Sequence, residues 1–308
     1  MVAAVVGSAV VVGTAIMLAA RRWPRLEPVA PHVDADSPTV KAEVRRHPRL
    51  RMLLQRHIDP ATATALAVTV CLGIIAVLAV GIGLLFAMVQ THTGLAKWDL
   101  SFARWGAENA TDTSTRVMRD ISLLGGTVGV LVIAAVAGVI EYIRRPNRAI
   151  PALLLLTVLG QFAISNLVKV LVSRDRPAIS QLTGFSGSSF PSGHAAAAAA
   201  TFAVIALLMG RGRRRGVRNA IAGAAVGVAV LVAGSRVMLG VHWFTDVLAG
   251  MALGWAWLAV CSIAFGGRLL DFGAPAAAAT AAADRTPVEA PGGEAARPPR
   301  SGSEAAGV

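Results

Sequence analysis

The chain has 308 residues, of which 55% are hydrophobic and only 15% are charged, and its net charge is +12. Soluble domains usually carry about 25% charged residues, so the composition excludes an ordinary soluble globular protein and predicts a polytopic membrane protein. The basic clusters adjoin apolar runs and lack the interleaved aromatic residues of a nucleic-acid groove, so they predict membrane topology and contact with anionic lipid, with no nucleic-acid partner.

An apolar run over residues 2–20 opens the chain and is followed by Arg21 and Arg22. A secretory signal peptide carries its positive charge before the apolar stretch, whereas here the charge follows it. The order favours a retained segment over residues 1–22, a transmembrane helix or signal anchor whose N-terminus lies outside; a cleaved signal is the alternative. The polar, Pro-containing and then basic residues 23–60 are expected to form a cytoplasmic linker.

Six further apolar runs are long enough to cross a bilayer, which takes about 18 or more apolar residues. They cover residues 62–89, 123–143, 149–172, 193–210, 219–240 and 244–265. The predicted fold is therefore all-α: a six-helix transmembrane bundle over residues 61–265, plus one extra N-terminal transmembrane helix. Residues 266–308 are rich in Ala, Pro and Gly and are predicted to form a disordered cytoplasmic tail. The sequence leaves the oligomeric state open.

Three aromatic residues stand out in the loop at 90–122, which follows the first of these six runs. Trp98, Phe102 and Trp105 are spaced by three or four residues. That spacing predicts one face of a short helix, and Trp in particular is enriched at the headgroup layer of a membrane.

Short basic connections predict the orientation of the bundle. Residues 144–148 and 211–218 are rich in Arg, and such loops lie on the cytoplasmic side of a membrane. The basic patch at 41–57 agrees with them under strict alternation of the spans. Alternation then places segments 169–194 and 235–246 together on the outer face. We expect a multi-pass protein of the plasma membrane with a cytoplasmic C-terminus.

The first segment contains Lys169 and the pair Arg176-Pro177. If the helix continues, Lys169 and Arg176 lie on one face, two turns apart, and Pro177 ends the helix or begins a loop. An ionisable residue inside an apolar run usually faces a polar cavity or a partner. The alternative is that Lys169 and Arg174 extend to the interface from a helix end.

The same segment ends with Phe190-Pro191-Ser192-Gly193-His194, which precedes a run of alanines. Ser192 is a candidate N-cap, and the N-terminus of a helix offers free N–H groups to an anion. Gly193 lets a ligand approach the backbone closely, and His194 would project beside that anion. The alternative is a capped helix that carries a histidine without a role.

The second segment contains Ser235-Arg236 followed by His242 and Asp246. Residues four apart meet on one helical face, and a carboxylate that accepts from one ring nitrogen leaves the other free as a base or nucleophile. Arg236 can offer a planar fork to phosphate oxygens. The alternative is an interfacial His–Asp pair with no catalytic role.

Taken together on one membrane face, these residues predict a phosphate site with a nucleophile and an acid. A zinc site is disfavoured, because the two histidines lack a third ligand at helical spacing, and Cys71 and Cys261 lie inside apolar runs. Ser192 lacks the G-x-S-x-G context of a hydrolase nucleophile. We therefore expect no metal and no other cofactor.

At these residues the chain resembles the type 2 phosphatidic acid phosphatase family, part of the superfamily of lipid phosphate phosphatases, bacterial acid phosphatases and vanadium haloperoxidases. The family pattern is K-x6-R-P, then P-S-G-H, then S-R-x5-H-x3-D. The matching residues are Lys169 with Arg176-Pro177, Pro191 to His194, and Ser235-Arg236 with His242 and Asp246. The resemblance covers about residues 62–265.

The resemblance implies a division of roles among these residues. His242 would attack phosphorus and become a phosphohistidine, Asp246 would orient it, and His194 would act as acid and then as base. The remaining residues would hold the phosphate oxygens: Lys169, Arg176, Ser192, Gly193 and Arg236.

The expected function is a metal-independent membrane lipid phosphatase with an extracytoplasmic site. Its candidate substrates are phosphatidic acid, diacylglycerol pyrophosphate and a polyprenyl pyrophosphate. One alternative is a lipid or sugar phosphotransferase that uses the same phosphohistidine. Another is a non-catalytic transporter or scaffold built on this fold.

Overall fold

The computed structural model describes residues 1–22, 60–179 and 181–266, and over these ranges its regular structure is entirely helical. The described helices, with one 3-10 turn, are α1 (Val2–Arg22), α2 (Pro60–Thr91), the 3-10 turn Gly94–Trp98, α3 (Asp99–Glu108), α4 (Asp112–Leu123), α5 (Thr127–Arg144), α6 (Ala149–Val172), α7 (Gly193–Gly210), α8 (Arg215–Met238) and α9 (Phe244–Phe265).

Seven of these helices are long and apolar enough to cross a membrane: α1, α2 and α5 to α9. The prediction of six core spans plus an N-terminal one is confirmed, with ends that differ by a few residues. The predicted linker and tail lie outside the described residues, apart from Pro60 and Gly266, so the division into domains stays a prediction.

Helix α7 lies at the centre of the bundle, packed against α6, α8 and α9. Its residues Ala195–Ala200 are at most 1% exposed. A side chain at Gly250 or Gly254 of α9 would collide with the backbone carbonyl of Ser192 or Ala196. Small residues let helices in a membrane approach until their backbones touch, and this close packing fixes the starts of α7 and α9 beside each other.

The extra helix α1 packs lengthwise on α8 through small residues. A Cβ placed on Gly13 would lie 2.6 Å from the carbonyl oxygen of Gly223, and one on Gly227 would lie 3.3 Å from that of Ala9. The N-terminal helix is therefore part of the helical packing.

The aromatic face predicted for loop 90–122 is built from two elements. Trp98 ends the 3-10 turn, and Phe102 and Trp105 lie on α3; all three are at least 37% exposed. The rings of Trp98 and Phe102 lie 6.5 and 4.7 Å from that of Phe244. These contacts hold α3 over the beginning of α9.

The predicted end of this span at residue 172 is confirmed, so the condition under which Lys169 and Arg176 would share a helical face is not met. Helix α6 ends at Val172, and Ser173 adopts the left-handed conformation with φ 45° and ψ 50°. The N–H of Ser173 still donates to the carbonyl of Lys169, which closes the helix. The chain then turns, so Arg176 approaches the site from a loop and not from the face that carries Lys169.

Candidate active site

The three motifs, at residues 169–177, 191–194 and 235–246, meet at one end of the bundle. The N–H of Ser192 donates to the carbonyl of Asp246 at 3.0 Å, which ties the start of α7 to the first turn of α9. The N–H of Leu182 donates to the carbonyl of Leu239, also at 3.0 Å, and so ties the loop after α6 to the end of α8. Segments that are far apart in sequence therefore form a single site.

His242 and Asp246 form a buried pair, with side chains 2% and 0% exposed. Nδ1 of His242 lies 3.5 Å from Oδ2 of Asp246, at the outer limit of a hydrogen bond, and has no closer partner among the described residues. The expectation of a contact on one helical face needs correction. Helix α9 starts only at Phe244, so the imidazole reaches back to Asp246 from the turn before the helix.

Arg176 lies against the other nitrogen of His242. Its Nη1 is 3.3 Å from Nε2 of His242 and donates to the carbonyl of Val241 at 2.6 Å. Its guanidinium stacks on the ring of Phe185 at 4.8 Å. The remaining donors bond to the carbonyls of Ser186, Gly187 and Ser188. A loop of backbone carbonyls therefore holds this cation within hydrogen-bond distance of Nε2 of His242.

The environment keeps the His242 imidazole neutral. Burial lowers the pKa of His242 from its ordinary 6.5 to about 4, although the adjacent Asp246 carboxylate acts to raise it. With a proton on Nδ1 facing the carboxylate, Nε2 keeps its lone pair at neutral pH. A neutral nitrogen beside a fixed guanidinium suits attack on a bound anion.

Lys169 faces the N-terminus of α7. Its Nζ lies 3.6 Å from where a Cβ would stand on Gly193, and it is within electrostatic range of Arg176 and Arg236. Ser192 caps the helix by accepting from the N–H of Ala195 at 3.5 Å, which confirms its predicted capping. The amine of Lys169 therefore lies beside the backbone that begins α7.

Arg236 and His194 line the opposite side, next to the turn between α4 and α5. Arg236 is 5% exposed and donates from Nη1 to Ser122 Oγ at 2.8 Å. Its Nε is buried without a hydrogen-bond partner in the described part of the chain. Nε2 of His194 lies 3.6 Å from where a Cβ would stand on Gly126. The sequence analysis did not identify this turn; its Gly-Gly pair was the available signal.

A second group that the sequence analysis missed holds the Asp246 carboxylate. Arg174 donates to Asp246 Oδ1 at 2.5 Å and to Asp99 Oδ2 at 2.8 Å. The alternative in which Arg174 extends from a helix end to the membrane interface is therefore wrong. The hydroxyl of Ser189 and the N–H of Trp243 both donate to Oδ2 of Asp246. The only local sequence feature that could have pointed to Asp99 was its position among the aromatic residues Trp98 and Phe102.

The charges of the site favour the binding of an anion. Two carboxylates, Asp99 and Asp246, face four cations, and Asp99 and Asp246 both bond to one of these, Arg174. The other cations are Lys169, Arg176 and Arg236. Within the described ranges, no cluster of three His, Cys, Asp or Glu residues has the arrangement of a metal site. The arrangement can hold a phosphate group and present a neutral imidazole to its phosphorus.

Comparison with known proteins identifies relatives of the chain. Residues 151–269 match the PAP2 superfamily. Phosphatidylglycerophosphatase B of Bacillus subtilis is 37% identical over 144 residues, which are 45% of this chain and 68% of that protein. Lipid A 1-phosphatase of Rhizobium etli is 36% identical over 115 residues, 34% of this chain, but the match spans only 46% of that protein.

A solved structure shares the fold. It is the crystal structure of a transmembrane PAP2-type phosphatidylglycerolphosphate phosphatase from Bacillus subtilis, with a TM-score of 0.56 and 27% sequence identity. The match covers 63% of this chain and 96% of that chain. The similarity therefore extends over nearly all of the relative, while more than a third of this chain lies outside it.

Proposed function

This chain belongs to the PAP2 superfamily and is a membrane lipid phosphatase, and from that premise we propose that it cleaves its substrate through a phosphohistidine at His242. One observation carries the proposal. Nε2 of His242 lies beside the Arg176 guanidinium, while Nδ1 faces the buried carboxylate of Asp246. One nitrogen is thereby oriented and the other left to react.

In the first step, Nε2 of His242 attacks phosphorus in line with the bond to the leaving group. The N–P bond forms as the P–O bond to the lipid breaks, and the leaving oxygen takes a proton from His194, which is protonated in the complex because the bound phosphate offsets the neighbouring cations. The ring of His242 gains positive charge, which the Asp246 carboxylate stabilises. We expect the 3.5 Å contact between Nδ1 and Oδ2 to shorten at this point, because catalytic hydrogen bonds often tighten along the reaction.

In the second step, neutral His194 removes a proton from water. The hydroxide oxygen bonds to phosphorus, the N–P bond breaks, and inorganic phosphate leaves. His242 returns to its neutral form and His194 is again protonated, so the cycle balances. Splitting one displacement into two is the general advantage of covalent catalysis.

The cations account for catalysis without a metal ion in this proposal. Lys169 and Arg236, with the backbone at Ser192 and Gly193, surround the position of the phosphate, and Arg176, whose N–H groups bond within the protein, contributes its positive charge. Prearranged donors of this kind stabilise the charge that develops on the equatorial oxygens. Arg236 is well suited to donate to these oxygens, since its buried Nε lacks a protein partner in the described part of the chain.

The substrate class is a lipid phosphomonoester or diphosphate. The candidates are phosphatidic acid, diacylglycerol pyrophosphate, a polyprenyl pyrophosphate and, by similarity to the relatives named above, phosphatidylglycerophosphate. The site lies at the end of the helices that cross the membrane, so a headgroup can enter while its hydrocarbon chain stays in the bilayer. By the positive-inside rule this end is extracytoplasmic and the opposite end, with the Arg-rich loops, is cytoplasmic.

Phosphate release tests the proposal. Full-length protein in detergent is treated with EDTA and assayed on the four candidate lipids. We expect His242→Ala to lose about 100,000-fold in kcat, as for removal of a nucleophile, and His194→Ala to lose about 1,000-fold. The matched control is His92→Asn, because His92 is exposed, is not one of the residues that form the site, and has a positive φ of 53° that Asn tolerates.

The leaving group separates the two histidines. With an aryl phosphate whose leaving group needs no proton, His194→Ala should recover much of the rate of the first step. His242→Ala should not recover it. Wild-type turnover by His242→Ala would contradict the assignment. Loss of free phosphate when a lipid or sugar alcohol is added would instead identify phosphotransfer to that acceptor.

Side-specific labelling tests the orientation. Gly184→Cys lies in the exposed loop at the site end, where a Cβ meets nothing within 4 Å, and Arg213→Cys lies in the exposed loop at the opposite end. The native cysteines Cys71 and Cys261 are buried. An impermeant thiol reagent on intact cells should label the first variant and spare the second. The reverse pattern would place the site on the cytoplasmic side.

A further inference from the structure

A carboxylate outside the three motifs reaches into the site from α3. Asp99 is 4% exposed although it lies at the first position of the short helix α3. Its Oδ1 accepts from the N–H of Thr245 at 2.9 Å, and its Oδ2 accepts from the Thr245 hydroxyl at 2.7 Å. Oδ2 also accepts from Arg174 at 2.8 Å. Both oxygens are therefore committed to the residues that surround Asp246.

Arg174 connects this carboxylate to the one that faces His242. Nη2 binds Asp99, and Nη1 binds both Asp246 Oδ1 and the hydroxyl of Thr245. The guanidinium is 16% exposed, and the two carboxylates are 5% and 0% exposed. One largely buried cation is thus shared between two buried anions, and the group as a whole carries a single negative charge.

The charge balance matters for His242. If Arg174 were paired with Asp246 alone, it would cancel the carboxylate charge, and charges in a low-dielectric site interact strongly. Asp99 compensates Arg174, so the group retains one negative charge next to Nδ1. When Nε2 of His242 takes a phosphoryl group, the ring becomes cationic and that charge is available to stabilise it.

We propose that Asp99 is a positioning residue of the phosphatase, which neutralises Arg174 so that Asp246 keeps its charge for His242. The inference rests on the proposed phosphohistidine function. Asp99 acts through Arg174 and Asp246 and does not touch the substrate. It also joins α3, with its exposed aromatic face, to the catalytic carboxylate.

A second role of Asp99 is structural and can be separated from the first. Its carboxylate accepts the N–H of Thr245 in the first turn of α9, where helix N–H groups lack intrahelical partners. The amide oxygen of an Asn can accept the same bond. Asp99→Asn therefore keeps the size and the cap while removing the charge.

The test compares Asp99→Asn with Asp175→Asn in the full chain, assayed with a short-chain lipid phosphate in detergent. Asp175 is exposed and lies next to Arg174 in sequence, so its substitution removes a nearby charge outside the network. We expect kcat of Asp99→Asn to fall about 30-fold with KM changed by less than about twofold, as for an interaction made in the transition state. Asp175→Asn should stay within about twofold of wild type in both constants.

A double variant distinguishes charge balance from a simple tether. Arg174→Gln leaves Asp99 buried without its cation, and Asp99→Asn leaves Arg174 with Asp246 alone, whereas the double variant leaves neither imbalance. We expect the double variant to have a higher kcat than Asp99→Asn alone. If the two substitutions acted independently, their losses would add and the double variant would have the lowest kcat. If Asp99→Asn does not fold, the double variant should still match or exceed Arg174→Gln.

Two results would overturn the inference: wild-type kcat in Asp99→Asn, or a double variant that is worse than either single one. Failure of the proposed function looks different. In that case the wild-type protein releases no phosphate from any lipid, or His242→Ala turns over normally, whatever the kcat of Asp99→Asn.

Discussion

The two sides of the His242–Asp246 pair differ in how fully their polar atoms are satisfied. On the carboxylate side, every oxygen of Asp246 and Asp99 accepts from a protein donor. On the phosphate side, Lys169 and His194 remain partly exposed, and Arg236 Nε lacks a partner in the described part of the chain. A satisfied network is rigid, whereas open donors are costly unless a ligand completes them. We therefore expect the first side to orient His242 and the second to bind the substrate.

Among the variants that compare the two sides, the largest effect is expected on the binding side. Arg236→Ala should lower kcat/KM about 1,000-fold, because it removes a buried charged donor aimed at the phosphate. Arg236→Lys restores the charge without the planar fork and should recover only part of this loss. Steady-state assays on one lipid substrate check both variants. Near-normal kcat/KM in Arg236→Ala would mean that the open donors do not bind the substrate.

A smaller effect is expected on the orienting side. Ser189→Ala removes one of several donors to Asp246 Oδ2, and the N–H of Trp243 remains. A single hydrogen bond to a charged group contributes about 1.5–3 kcal/mol, so we expect kcat to fall about tenfold with KM nearly unchanged. A rise in KM without a fall in kcat would show that the two sides are not separate.

The smallest effect concerns stability and pH. Burial lowers the pKa of His242 to about 4, below its ordinary 6.5. The unfolded chain therefore binds more protons between these values, and the protein loses stability as pH falls through that window. The loss from pH 7 to pH 5 is about 2 kcal/mol from this residue. Thermal unfolding in detergent should show a smaller pH dependence in His242→Asn; an unchanged dependence would contradict the buried neutral imidazole.

Much of the architecture could be predicted because membrane spans are local features. The apolar runs and Arg-rich loops lie within short windows, and the extra helix α1 was visible from residues 2–20 alone. The sequence pattern also grouped His194, His242 and Asp246 with Lys169, Arg176 and Arg236, because alternating spans bring the ends of alternate loops to one face.

The local geometry was harder to predict because it depends on where each helix ends. The spacing of Lys169 and Arg176 fits two helical turns, but Ser173 takes the left-handed conformation and ends α6 before Arg176. In the same way, His242 and Asp246 are four positions apart, and yet α9 begins between them. Periodicity predicts a helix better than it predicts the residue at which the helix stops.

The Asp99–Arg174 connection could not be found from spacing at all. The two residues are 75 positions apart, and Asp99 lies 146 positions before Thr245. Only tertiary packing of α3 over the start of α9 brings them together. Arg174 itself stands two residues from Arg176, and nothing in that short string tells which of the two faces the phosphate and which faces a carboxylate.

The most direct test of the account is to find the phosphoryl group on the enzyme. Full-length protein is mixed with its lipid phosphate, quenched in alkali, which preserves phosphohistidine, and digested for mass spectrometry. The account predicts one phosphoryl group on His242, more of it in His194→Ala with an aryl phosphate substrate, and none in His242→Ala. Turnover without phosphorylation of His242, or with the phosphoryl group on another residue, would contradict it.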